Sequence, residues 1–381
     1  MRRVQIILTV LIISGCLSHN EDGEDVVYAD TGTSFSASLS ELGGHANLIP
    51  VFSDETIGNI YDARKYGDRF FLYDNQHRSI WIVDSSGKPF HFNRLGRGPE
   101  EYLDIFGYSF NEDREELVIY SRNEGVLKVY SIIDGSLVRQ FAQKDSYGEG
   151  YYNAMETVGN GMLMRVKQNS QKGSDDAAVV RYDLNNGEEE VVLPLRPDQA
   201  RIADFMSQTT DGHVVLGVCG ERMTFYELGY DGIKQLFQVR FPYDSFWDSY
   251  WRRDYSEERF DDFGSYILKQ KDGLAIEPGF FTSTEDASAF WFMTKANSST
   301  NSLPDRDCCI IRDGKAEIYS TISCPELGID RLQPLGTDGK SYISLITAEE
   351  TVPQPGTELG DAFLAMQAEG VDTALLIYDL L

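Results

Sequence analysis

The stretch LGRGPEEY, residues 95–102, sets two glycines, an arginine, a proline and two adjacent glutamates between strand-like runs. Two chemistries are open to it. In one, Arg97, Glu101 and Tyr102 line the rim of a channel and bind a polar ligand. In the other the loop is a corner. Gly96 and Gly98 permit positive φ or close backbone approach, and Pro99 fixes its own φ and biases Gly98 away from helix. Glu100 and Glu101 then cap the amides of a following helical turn, Arg97 neutralises one glutamate, and Tyr102 packs beneath. The corner asks less of these residues; the site reading stands beside it, with Arg97, Glu101 and Tyr102 as candidate ligand-binding residues.

Other constellations give little. Gly-x-Ser-x-Gly is absent, so a hydrolase nucleophile elbow has no support. The histidines, His19, His45, His77, His91 and His213, are not closely spaced to one another or to cysteine, so there is no zinc signature. His77 and His91 fall on neighbouring strands and could meet in space. Residues 183–187 (DLNNG) lack the alternating ligands and terminal glutamate of a calcium loop, and a hairpin turn explains them better. No catalytic residue, metal ligand or cofactor is assigned.

The chain opens with Arg2 and Arg3 before a short apolar run, Val4 to Ile13. Such a run serves a signal peptide; a spanning helix needs about 20 apolar residues. It ends in Ile13-Ser14-Gly15-Cys16, which resembles the bacterial lipobox. That resemblance implies cleavage before Cys16 and a lipid on its thiol. Residues 1–15 are therefore expected as signal peptide and 16–40 as a lipid-anchored tether, acidic and too polar to fold over residues 17–25. The expected address is that of an outer membrane lipoprotein, on the periplasmic or cell-surface face, touching the membrane only through its lipid.

The net charge is −27. A surface so acidic repels phosphate backbones and anionic headgroups, which argues against nucleic-acid binding. Four cysteines remain besides Cys16. Arg312-Asp313-Gly314-Lys315 reads as a two-residue hairpin turn, which sets Cys309 opposite Ile318 and Cys308 opposite Tyr319. Cys324 lies past both, so free, buried thiols are expected.

The elements that must carry these residues repeat. Two alternating strands, a Gly-containing turn and a third strand recur at residues 69–93, 116–141, 161–187, 213–232 and 289–314, and a sixth unit spans 340–380. A period near 50 residues points to a propeller or solenoid. Four-stranded antiparallel units favour the propeller, whose closure protects its sheet edges. The last unit lacks a strand after residue 380, and residues 47–60 hold a spare one that can complete that blade. The expectation is an all-β fold, a six-bladed β-propeller over residues 41–381 with four-stranded antiparallel blades and an N-terminal strand closing the last. An insertion at 242–270 is rich in aromatics. Phe246, Trp247, Tyr250 and Trp251 share one side of a short helix there, packing on the sheet beneath or stacking on sugar or peptide.

The lipobox, the six units, Gly96, Gly98, Pro99, Glu101 and Tyr102 after the first blade, and the apolar terminal strand together resemble the six-bladed β-propeller lipoproteins of gut Bacteroidales, relatives of the NHL-repeat propellers. The family tends to carry Asn-Pro before its last strand, where this chain has Asp372-Thr373. The resemblance implies fold and export and supplies no reaction. The expected function is a non-catalytic binding or scaffold module of the cell envelope, whose partner is a glycan, a peptide or an envelope protein. The alternative is a propeller enzyme, a lyase or hydrolase with its site in the central channel.

Overall fold

The computed structural model describes residues 26–30, 34–53, 55–143, 150–169, 177–195, 205–209, 212–220, 222–241, 276–293 and 306–380. Cys16, the signal peptide, the acidic run before residue 26 and the insertion 242–270 lie outside the described residues.

Three strands lead in: β1 (Val26–Tyr28), β2 (Ser34–Ser38) and β3 (Ala46–Pro50). Blade one is β4 (Ile60–Tyr66), β5 (Arg69–Asp74), β6 (Ser79–Val83) and β7 (Pro89–Phe92), and blade two is β8 (Gly107–Asn111), β9 (Glu116–Ser121), β10 (Val126–Ser131) and β11 (Leu137–Ala142). Blade three is β12 (Gly150–Thr157), β13 (Met162–Asn169), β14 (Ala178–Asp183) and β15 (Glu189–Pro194), followed by blade four, β16 (Met206–Gln208), β17 (Val214–Val218), β18 (Met223–Gly229) and β19 (Gly232–Arg240). Blade five is β20 (Ile276–Ser283), β21 (Ala287–Met293), β22 (Arg306–Arg312) and β23 (Lys315–Ser323). Blade six holds β24 (Gly336–Thr337), β25 (Tyr342–Thr347) and β26 (Thr373–Tyr378), and its fourth strand is β3, antiparallel to β26 with Leu48 opposite Leu376. The N-terminal strand thus closes the ring as expected.

Within residues 16–40, expected as tether, Val26–Tyr28 and Ser34–Ser38 are strands. β1 lies parallel on the outer edge of β19 and β2 parallel on β23, so the lead-in wraps blades four, five and six in turn. VVY is strand-prone and SFSAS alternates polar and apolar residues, but both are too short to announce strands alone; their order comes from pairing with edges already built.

The middle strands read as near-continuous apolar runs because both faces are covered by neighbouring blades. Every residue of β6 is buried. The core lies between blades: Tyr66, Phe71, Phe110 and Tyr108 join blades one and two, while Leu72, Trp81, Ile343 and Leu375 join blades one and six. The turn from β22 to β23 has φ of 51° at Asp313 and 69° at Gly314, the geometry of a two-residue hairpin. It sets Cys308 opposite Tyr319 and Cys309 opposite Ile318, as the sequence indicates. Cys219, Cys308, Cys309 and Cys324 are buried thiols that form no disulfide.

Between β25 and β26 lies a helix the sequence pattern does not announce, α1 (Glu358–Ala368). The Thr357 hydroxyl caps it, accepting from Gly360 N–H at 3.2 Å. Only Leu359, Gly360 and Phe363 of its residues are buried, too few for a clear helical stripe. Among the described residues no helix is long and apolar enough to cross a membrane.

Candidate functional site

Four antiparallel strands per blade fix where the loops go. Turns between first and second, and third and fourth, strands fall on one face; second-to-third loops and blade-to-blade crossings fall on the other. The first face has short turns such as Asp313-Gly314. The second carries the longer connections, α1 and the 95–102 loop among them, and loops on a rigid scaffold are where recognition concentrates.

The 95–102 loop is a corner in the structure. Leu95 and Tyr102 form an isolated parallel bridge, with Gly96 N–H donating to Tyr102 C=O and Tyr102 N–H to Arg94 C=O, both at 3.0 Å. The Glu101 carboxylate accepts from Gly98 N–H at 2.6 Å. It caps an amide before it in the chain, not those of a helical turn after it. A Cβ on Gly96 would lie 1.9 Å from Glu101 Oε2, so the glycine serves close approach. Tyr102 is fully buried, donates to Arg78 C=O at 3.0 Å and stacks on Phe92. The Lys128 ammonium donates to Glu101 C=O, and the Tyr130 hydroxyl to Glu100 C=O at 3.1 Å. Arg97 is exposed and neutralises no glutamate among the described residues. The three candidate residues are therefore near in chain but do not converge: Glu101 and Tyr102 face into the corner and Arg97 faces solvent.

His77 and His91 do not join in a metal site. Each has its own acid: His77 Nδ1 lies 2.8 Å from Asp74 Oδ2, and His91 Nδ1 2.9 Å from Glu55 Oε2. His91 stacks flat on Trp81 at 3.9 Å and its Nε2 meets the buried Ser79 hydroxyl at 2.8 Å. Ser79, His91 and Glu55 are bonded in the order of a hydrolytic triad, but Ser79 is 0% exposed and no substrate can reach it. Among the described residues no group of three His, Cys, Asp or Glu could hold a metal.

What the blades do bring together lies at the axis. The innermost strands approach one another from β8 round through β12, β16, β20 and β24 to β4. Between β4 and β8 the Arg64 side chain fills the gap. It bonds Asp62 at 2.8 Å and Glu156 at 2.9 Å, and donates to Tyr108 C=O and to Met155 C=O at 2.5 and 2.8 Å. Glu156 Oε1 accepts from the Tyr66 hydroxyl at 2.6 Å and the Ser109 hydroxyl at 2.7 Å. Burial raises the Glu156 pKa, against the opposing pull of Arg64, Tyr66 and Ser109. Burial alone would lower that of Arg64, but Asp62 and Glu156 outweigh it and hold the guanidinium charged.

Above this floor opens a cleft of about 270 Å³. Its walls are Tyr61, Tyr73, Phe106, Tyr108 and Phe205, with Asp62 and Arg64 at the base. A β-bulge between Ile60 and Asp62 makes Tyr61 the extra residue and turns it outward, 46% exposed. Phe106 and Tyr108 come soon after the 95–102 corner in the chain, so that corner leads into one wall of the cleft.

The family model described as 6-bladed beta-propeller, DUF5128, matches residues 52–196, which are blades one to three. The chain is a six-bladed β-propeller. The crystal structure of a Bacteroides fragilis protein assigned as exported aligns with a TM-score of 0.65 at 10% identity, over 93% of this chain and 99% of that one. A Bacteroides vulgatus member of the duf4221 family gives 0.48 at 10% identity, over 88% and 96%. Virginiamycin B lyase from Staphylococcus aureus gives 0.40 at 10% identity, over 89% and 100%. At such identities the likeness concerns the fold alone. No curated protein matches the chain.

Asp62, Arg64 and Glu156 were missed by the sequence reading, as were the aromatic walls. One signal was present: Asp62 and Arg64 share a face of the first blade strand at period two, and charges in an innermost strand need partners. Glu156, more than ninety residues along, has no such local mark. The β12 bulge between Tyr152 and Met155 resets the register just before it.

Proposed function

We propose that this propeller is a lipid-anchored binding module of the cell envelope that takes its ligand in the aromatic cleft between blades one and two. The observation that carries the reading is the cleft itself: five aromatic walls over charged groups already committed to one another. Flat rings with polar edges suit a sugar ring or a peptide side chain, and aromatic pockets with few polar groups are the common form of ligand sites. Export is supported by the sequence up to Cys16 and by the assignment of the Bacteroides fragilis relative. The anchor places the protein on the outer membrane, facing the periplasm or the medium.

A second reading, a lyase or hydrolase, is favoured by one observation: a buried carboxyl with a raised pKa, Glu156, near the axis. The void beside it is only about 10 Å³, room for one water. Binding is the better account.

The test is a screen of glycans and peptides by thermal shift on the full chain in detergent, beside Tyr61→Ala and Phe106→Ala. The expected result is a ligand whose affinity falls at least about tenfold in either variant. Ligands bound equally well by both variants would sink the cleft, and turnover lost in Glu156→Gln would replace binding with catalysis. Cys16→Ala should release the protein from membranes without detergent; continued association would remove the anchor.

A further inference from the structure

The opposite face holds a second cavity, of about 280 Å³, where blades two, three and four meet the axis. Its lining includes Asn111, Glu112, Asp113, Asp231, His213 and Tyr230. Asn111 ends β8 and is 1% exposed, yet its side-chain NH2 has no hydrogen-bond partner. A buried donor left unmade costs about 1–3 kcal/mol, so its persistence calls for an explanation. The three carboxylates are on exposed residues at the rim. Asp113 Oδ2 accepts from Asn160 N–H at 3.2 Å, while His213 is occupied with Glu227 at 3.1 Å. Arginines around it have other acceptors: Arg114 donates to Asn185, Arg181 to Tyr230 C=O and Glu190, and Arg69, whose charge also acts on Glu112, to Glu115. Tyr230, 47% exposed, offers a ring face to a cation.

We infer that this cavity is a second ligand site, built for a primary amine that also carries a hydrogen-bond acceptor. The ammonium sits among Glu112, Asp113 and Asp231 against the Tyr230 ring. The acceptor, a hydroxyl or carbonyl oxygen, meets the Asn111 amide on the floor. An amino sugar and a lysine side chain with its own backbone carbonyl share this chemistry. The site is separate from the aromatic cleft and does not depend on it. Between the two lies the Glu156, Ser109 and Thr157 hydrogen-bonded wall, with Ser109 and Thr157 hydroxyls 3.2 Å apart.

The experiment is calorimetric titration of the full chain with glucosamine and with lysine amide, using N-acetylglucosamine as the control without a charge. Binding of one amine probe and not of the control is expected, weakened at least about fivefold in Asp231→Asn and in Glu112→Gln. Both substitutions are on exposed residues and should leave thermal unfolding unchanged. Asn111→Leu, which removes the unpaired amide, should be folded and should also lose affinity. The preferred probe decides between sugar and lysine. Tyr61→Ala should leave amine binding intact. No heat with either amine at tens of millimolar, equal binding by the carboxylate variants, or loss in Tyr61→Ala would each overturn the second site.

Discussion

At Asp74 four donors converge on one buried carboxylate: Gly58 N–H at 2.8 Å, His77 N–H at 3.1 Å, the His77 ring at 2.8 Å and Trp81 Nε1 at 3.3 Å. Burial works against the charge, but the His77 and Gly58 bonds and Trp81 outweigh it and hold the pKa below the ordinary carboxylate value. A depressed folded-state pKa stabilises the fold above the unfolded value, about 3.9, and that contribution is lost as pH falls through the folded value. Asp74→Asn should therefore destabilise at pH 7 by about 1–3 kcal/mol, and the gap to the unmodified chain should close below about pH 4. Urea unfolding across pH measures it, and a gap independent of pH would contradict the assignment. His77 and His91, which the sequence leaves free to meet in space, are instead hydrogen-bonded each to its own acid; spacing rules see metal clusters and overlook such pairs.

Among the elements, the 95–102 corner is the one whose chemistry was most legible and whose role was most ambiguous. The glycines, the buried Tyr102 and the tight crossing follow from residue type. The destination of Glu101 does not, because nothing local says whether its carboxylate turns forward to a helix or back to Gly98. Gly96→Ala pushes a methyl group into that carboxylate and should cost about 1–3 kcal/mol through the lost charged hydrogen bond. Glu101→Ala costs the same bond, so the double variant should be less destabilised than the sum of the singles. Additive losses in denaturant titrations would mean that the two residues do not act together. α1 and the bulges in β4 and β12 were not legible: each breaks the strand period where a single residue is inserted or a short segment leaves the sheet.

For the whole molecule, closure depends on the lead-in. β3 supplies the last strand of blade six, with Ile49 packed against the cluster between blades six and one. β1 and β2 add to edges that already stand, though Ala29 and Leu39 are buried among blades four to six. A chain starting at residue 41 should lose stability modestly. One starting at residue 52 should open blade six, lowering Tm by about ten degrees or more and favouring aggregation at the bare β26 edge. Equal melting of the two chains would contradict the latch.

The sequence by itself determined the repeat, the count of blades, the hairpin register that sets Cys308 and Cys309 against β23, and the spare strand for the last blade. These are decided by periods of two residues and of about fifty, and by turns whose residues require positive φ. Only the tertiary structure decided that Asp62 and Arg64 of blade one meet Glu156 of blade three, that Tyr61, Phe106 and Phe205 wall one cleft, and that Asn111 floors another cavity. Radial packing is the physical reason: it brings the first strands of different blades to one axis, joining residues that no spacing along the chain connects.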